Sequence, residues 1–266
     1  MPSRFPKRRP LVFVGLLLLL ILGVLLIAYA VNAIWHGHPI VVNFFGESLL
    51  GLTAVFLLSR FRWWRVVGFR TPQYSPAFWC LLAPCFVLIT DANTVSQYWN
   101  YLPGHDRALL FLILAMLVGF VEETYFRGLI LRTLLQRGPW LAAIISSILF
   151  GGLHLLHLIE GQNLVATLSQ AASASALGFL FAAVALRTRS ILPLIVIHGL
   201  TDFIAFLVLS GAVITYIPSA DDLRETAVEA IIFILLGVIA MRGIRASDFD
   251  LDIPDRQEKP LVETAG

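Results

Sequence analysis

Charge is scarce in this chain. Only 14% of its 266 residues are Asp, Glu, Lys or Arg, against about 25% in soluble domains. With 58% hydrophobic residues and a mean hydropathy of +0.84, that shortage excludes a soluble domain and indicates a polytopic membrane protein. The net charge is only +2, so nothing suggests a nucleic-acid partner. Cysteine is nearly absent: Cys80 and Cys85 are the only two. Their spacing fits neither a CxxC redox pair nor a zinc site, and both read as buried thiols in an apolar helix. The chain has no HExxH motif, no internal repeat and no second domain.

What is present is a series of long apolar runs. Residues 1–10 are basic, with Arg4, Lys7, Arg8 and Arg9, and Leu11 to Ile34 then follow without one charge. That run is too long for the roughly 7–15-residue core of a signal peptide, and about 20 residues suffice to span a bilayer. It is read as an uncleaved first span. The second is Val41 to Ser59, with Glu47 read as a carboxylate near the interface or against another helix. The third lies within Thr71 to Thr90, where Pro84 is expected to kink it. A polar loop from Asp91 to Arg107 leads to the fourth, Ala108 to about Leu135. The fifth is Trp140 to about Ile159. The sixth, about Leu164 to Leu186, is rich in Ala, Ser and Gly, which let membrane helices approach closely. The seventh is Ile191 to about Leu209 and the eighth about Thr226 to Met241. The expected organisation is a basic terminus (1–10), one eight-span domain (11–242) and a polar, solvated tail (243–266).

Eight spans require alternate loops to differ in basic content. One side receives 16 of the 19 basic residues, in five groups. The other receives only Arg107 and Arg224, while Arg127 lies within the bilayer. Asp91, Asp106, Glu160, Asp221 and Asp222 gather on that second side. The pattern places both termini in the cytoplasm, with a bacterial inner (plasma) membrane as the expected location.

Against this background three polar groups stand out. Glu122, Glu123 and Arg127 fall inside the fourth span, where each charge costs about 2.5–3.5 kcal/mol on insertion scales. On a helix, Glu123 and Arg127 are four apart and share a face, which predicts an ion pair. Glu122 points about 100° away and is left facing the bundle, placed to take and give protons. In the fifth span His154 follows Phe150 by four, with Gly151 and Gly152 allowing a close helix approach. In the seventh, His198 and Asp202 are four apart. His157 reads as an interfacial side chain, and His36, His38 and His105 fall in loops. Taken together, Glu122, His154, His198 and Asp202 on three helices suggest chemistry. A carboxylate with an imidazole can activate water, and a second imidazole can stabilise an oxyanion. Glu122, His154 and His198 could instead hold zinc.

These residues resemble the three motifs of the CPBP family of intramembrane proteases, which includes the type II CAAX prenyl endopeptidases and bacteriocin-processing and immunity proteins. The motifs are Glu122-Glu123-x-x-x-Arg127, Phe150-x-x-x-His154 and His198-x-x-x-Asp202. Their context is similar too, in Phe126-Arg127-Gly128, Ser146-Ser147-Ile148-Leu149 and Arg189-Ser190-Ile191. The likeness covers about Leu109 to Leu209. It implies a helical bundle with the fourth, fifth and seventh spans at its core. It implies a glutamic-type endopeptidase in which Glu122 and His154 activate water, His198 and Asp202 form the oxyanion site, and Glu123, Arg127 and Phe150 support them. It implies no cofactor, with zinc as the alternative, and a membrane-embedded protein or peptide as substrate. The prenyl-protein peptidases resemble His-x-x-x-Asn at the third motif. Asp202 therefore departs from the prenyl-specific pattern, because an ionised Asp cannot donate to an oxyanion. A non-catalytic peptide-binding or immunity protein is the rival reading. A proton-coupled transporter is a third, without the paired broken helices of inverted repeats. The sequence carries no signal for oligomeric state.

Overall fold

The fold is known from a computed structural model, which describes residues 9–35, 39–97, 105–159, 161–209 and 217–249. His36, His38, the loop residues 98–104, Glu160 and the tail from 250 onward lie outside the described residues. Among the described residues every regular element is helical, as a lipid-embedded chain requires, because a helix satisfies its own backbone polar groups.

The chain runs α1 (Pro10–Trp35), α2 (Pro39–Phe61), a short α3 (Trp64–Val67), a 3-10 turn (Pro76–Leu81) and α4 (Leu82–Gln97). It continues with α5 (His105–Glu123), a π-helical segment (Thr124–Ile130), α6 (Leu131–Leu134) and α7 (Pro139–Leu153). A 3-10 turn (His154–Leu158), α8 (Leu164–Thr188), α9 (Leu192–Leu209) and α10 (Ala220–Met241) complete it. All eight expected runs are present as helix. Among the described residues five segments are long and apolar enough to cross a membrane: Pro10–Val31, Val41–Phe61, Arg107–Arg137, Pro139–Leu158 and Leu164–Thr188. Pro76–Ile89 and Leu192–Leu207 are apolar but shorter.

Two expectations change. The break in the third run lies at the 3-10 turn before α4, where Ser75 Oγ caps Ala77 N. Pro84 sits in the first turn of α4, where a missing N–H costs little, so it does not kink the helix. The polar stretch expected to be loop, Asp91 to Arg107, is helical to Gln97 and again from His105, so His105 begins α5 rather than lying in a loop. The two thiols are unpaired, Cys80 buried and Cys85 half-buried.

Helix ends follow local sequence. Asn163 Oδ1 accepts from the amides of Val165 and Ala166 and starts α8. Ser219 and Asp222 form a capping box at α10. Proline at the first position starts α7 after Gly138, whose φ is +100°.

Packing places the motif helices centrally. α5 packs most extensively on α9, α8 on α10 and on α7, and α2 on α1 and α5. α1 buries one stripe, Val14, Leu17, Ile21, Val24 and Ala28, at the 3–4 spacing of a coiled-coil seam. Its other faces, such as Leu16, Leu19 and Leu26, stay exposed, as expected for lipid contact. The sixth run is as central as the motif helices: in α8 nearly every residue from Gly178 to Leu186 is buried.

Close approach is set by small residues. A Cβ on Gly119 of α5 would lie 2.8 Å from the Ile195 carbonyl oxygen and 2.9 Å from the Gly199 nitrogen of α9. One on Gly151 of α7 would collide with the Ser175 hydroxyl and the Ala171 carbonyl of α8, whereas Gly152 faces open space. Only the first glycine of that pair brings helices together.

Candidate active site

Glu122 and Glu123 are the last residues before the helix widens into a π segment at Thr124. π turns are rare and concentrate at functional sites. The wide turn leaves the Phe126 carbonyl accepting the Leu131 amide, and the buried Ser146 hydroxyl of α7 also donates to it at 2.8 Å. The segment carrying the carboxylates is thus pinned to the helix carrying Phe150 and His154.

Glu123 is fully buried. Its Oε1 meets Arg127 Nη1 at 3.0 Å, the expected ion pair, and accepts from His198 Nδ1 at 2.9 Å. The Arg127 guanidinium lies over the Phe150 ring, Cζ 4.1 Å from its centroid, and 5.7 Å from that of Phe181. A desolvated cation over an aromatic face contributes about 2 kcal/mol or more. Charge pairing and the ring below the cation offset the burial only in part, because among the described residues Arg127 Nη1 and Nη2 and Glu123 Oε2 are buried without a hydrogen-bond partner.

His198 of α9 occupies the centre. With Nδ1 committed to Glu123, its Nε2 faces Glu122 Oε2 at 3.4 Å and Asp202 Oδ2 at 3.5 Å. The two outer carboxylates keep roughly a quarter of their side-chain surface accessible, 28% for Glu122 and 24% for Asp202, whereas Glu123 has none. The site therefore has a sealed side, Glu123 with Arg127, and an accessible side, Glu122 with Asp202.

His154 begins the 3-10 turn at the end of α7. Its Nδ1 lies 3.3 Å from the Phe150 carbonyl oxygen. A carbonyl only accepts, so Nδ1 carries the proton in this hydrogen bond, which leaves the lone pair of the neutral ring on Nε2. The Phe150 ring contacts both imidazoles edge-on, with centroids 5.3 Å from His154 and 5.7 Å from His198. His154 is brought beside the cluster, and Phe150 spaces it from His198. His157 stacks edge-on against His154 at 5.9 Å.

One acid was undervalued from sequence. Glu47 of α2 has a carboxylate oxygen, Oε2, that is buried without a hydrogen-bond partner. It lies within electrostatic reach of Glu122, Asp202 and His198. α2 is held there by Tyr125, whose hydroxyl shares a hydrogen bond of 2.7 Å with the Thr53 hydroxyl and donates to the Leu50 carbonyl at 3.3 Å. A single Glu in a long apolar run is a signal, but sequence alone does not say which neighbour it faces.

Four carboxylates thus lie in contact with, or within electrostatic reach of, the His198 imidazole, and Glu122 and Glu123 also reach the Arg127 guanidinium. Even with His198 cationic, the negative groups outnumber the positive ones. Among the described residues no three His, Cys, Asp or Glu side chains are arranged to hold a metal ion.

Residues 104–204 match the family model described as type II CAAX prenyl endopeptidase, Rce1-like. The matched segment runs through α5, the π turn, α7, α8 and most of α9, and so contains all three motifs. No curated protein and no solved structure matches the chain. Over that segment the chain is similar to this family of endopeptidases, and the helical bundle, with five candidate spans among the described residues, supports an integral membrane protein.

Proposed function

We propose, starting from the match of residues 104–204 to the Rce1-like type II CAAX prenyl endopeptidase model, that this chain is a glutamic-type intramembrane endopeptidase. Its substrate is a membrane-embedded protein or peptide. The observation that carries the reading is the clamped imidazole: His198 held at Nδ1 by the sealed Glu123–Arg127 pair, with Nε2 turned to the accessible carboxylates.

In this mechanism Glu122 takes a proton from a water molecule as that water attacks the scissile carbonyl. His154, with Nε2 unprotonated, accepts the water's second hydrogen bond and orients it. His198 Nε2–H donates to the developing oxyanion, and Glu123 opposite it stabilises the positive imidazole, as a carboxylate does in a hydrolytic triad. Glu122 then delivers its proton to the leaving amine. Asp202 stands beside Nε2, where it orients His198 when ionised and donates to the oxyanion when protonated. Asp at this position argues against dedicated prenyl-protein specificity. Both termini face the cytoplasm of a bacterial inner membrane, on the charge asymmetry of the loops.

The test is cleavage in proteoliposomes of candidate membrane peptides found by comparing the proteomes of cells with and without active Glu122. Glu122→Gln and His154→Ala each lower the rate by about 10²–10⁴-fold, the usual share of general acid–base catalysis, while the protein still inserts. Normal cleavage by either variant overturns the mechanism. Chelator treatment leaves the wild-type rate unchanged; inhibition that zinc reverses would instead favour a metalloprotease with Glu122, His154 and His198 as ligands. A wild type that binds peptide without cutting it would favour the peptide-binding or immunity reading.

A further inference from the structure

At the opposite end of α8 from its Asn163 cap, three guanidiniums converge that the proposed chemistry does not use. Arg70 follows α3, Arg132 lies in α6 and Arg189 caps α8 with a left-handed φ of 55°. They are within electrostatic reach of one another. The loop is stitched in place: Arg70 Nε donates to the Arg189 carbonyl at 3.0 Å and Ser190 Oγ donates to the Arg70 carbonyl at 2.7 Å. Arg132 is only 4% exposed, and its Nη2 donates to the Ala185 carbonyl at 3.2 Å.

The ordinary explanation is that these side chains cap the C-terminus of α8 and belong to the basic belt on the cytoplasmic side. A helix C-terminus supplies about half a negative charge, which cannot balance three cations. Among the described residues no carboxylate pairs with any of the three. Asp248 offers Arg189 only its backbone carbonyl, at 2.9 Å, and turns its carboxylate to the Arg245 amide. Two donors, Arg70 Nη2 and Arg132 Nε, are buried with no acceptor among the described residues. Belt residues normally extend into water; here Arg132 is folded inward and Arg70 and Arg189 are half-buried beside it. The Phe249 ring lies 5.7 Å from Arg132 Cζ and carries no formal charge.

We propose that Arg70, Arg132 and Arg189 form a binding site for a phosphate group, and that its source is the headgroup of an anionic phospholipid. A phosphodiester supplies the missing negative charge and accepts from guanidinium edges in bidentate fashion. The cytoplasmic leaflet is where anionic lipids collect, and basic pockets between helices on that side bind such headgroups. The site lies at the end of the bundle that receives most of the basic residues, so a headgroup reaches it without leaving the interface. It is independent of whether the protein cuts peptides.

The full-length protein is tested in mild detergent by native mass spectrometry and thermal melting with phosphatidylglycerol or phosphatidylcholine added. The wild type retains one phosphatidylglycerol at least tenfold more tightly than phosphatidylcholine, with a matching rise in Tm. Arg70→Gln combined with Arg189→Gln removes that preference. Arg62→Gln, which removes one charge from an exposed loop nearby, keeps it. Equal retention of the two lipids by the wild type overturns the site, and this measurement stands alone if the double variant does not fold. An unchanged preference in the folded double variant overturns it as well. If millimolar inorganic phosphate alone gives the full Tm rise, and phosphatidylglycerol adds nothing, the phosphate site holds and the lipid assignment falls.

Discussion

His198 shows how much one side chain can carry when its two ring nitrogens face different surroundings. Nδ1 lies against the sealed pair and Nε2 against the accessible acids. Removing Glu123 would free the ring and strand Arg127. Glu123→Gln is expected to destabilise the protein by about 3–5 kcal/mol, because it leaves a buried charge without its partner; thermal melting in detergent measures this, and an unchanged Tm would mean that the pair is not buried. The pairing of Glu123 with Arg127 was legible in the sequence, since four-residue spacing fixes a shared helix face. The capture of His198 by Glu123 was not. That contact joins residues 75 apart, and only the docking of α5 on α9 decides which carboxylate the imidazole meets. Glu47 was visible as a charge in the wrong place, but its destination depended on α2 packing against Tyr125.

Among the elements, helix existence and order were legible and helix phase was not. In α1 almost every residue is apolar, so the buried stripe from Val14 to Ala28 could not be told from the lipid-facing sides. The close approach of α5 to α9 rests on Gly119 and, facing it, Gly199, small residues in apolar runs with nothing local to single them out. Gly119→Ala should force the two helices apart at backbone contacts and cost about 1–3 kcal/mol, as overpacking does, with a larger loss of cleavage because His198 moves relative to Glu122. Gly151→Ala should behave similarly through α7 and α8. Gly152→Ala, next to it and facing open space, should change neither Tm nor rate. Equal behaviour of the three variants would show that helix spacing does not control the site.

For the whole molecule, the sequence placed eight hydrophobic runs and the structure folds each of them as helix, with five long enough to span by themselves. The alternation of basic residues makes an independent demand on the topology. Green fluorescent protein fused to either end should fluoresce, and alkaline phosphatase fused to either end should remain inactive. Activity of the phosphatase at one end alone would require an odd number of crossings and break the proposed orientation.

The widened turn at Thr124–Ile130 has a consequence for all of these scales. It works as a vernier between two halves of one rod. Upstream, the rod must aim its acids at α9; downstream, it must keep Leu131 and Leu134 buried. A uniform α-helix would offer both halves a single angular setting, and the slack held in the wide turn lets each keep its own. Straightening that turn would cost the protein either its reactive corner or its interior, however well the new helix was bonded.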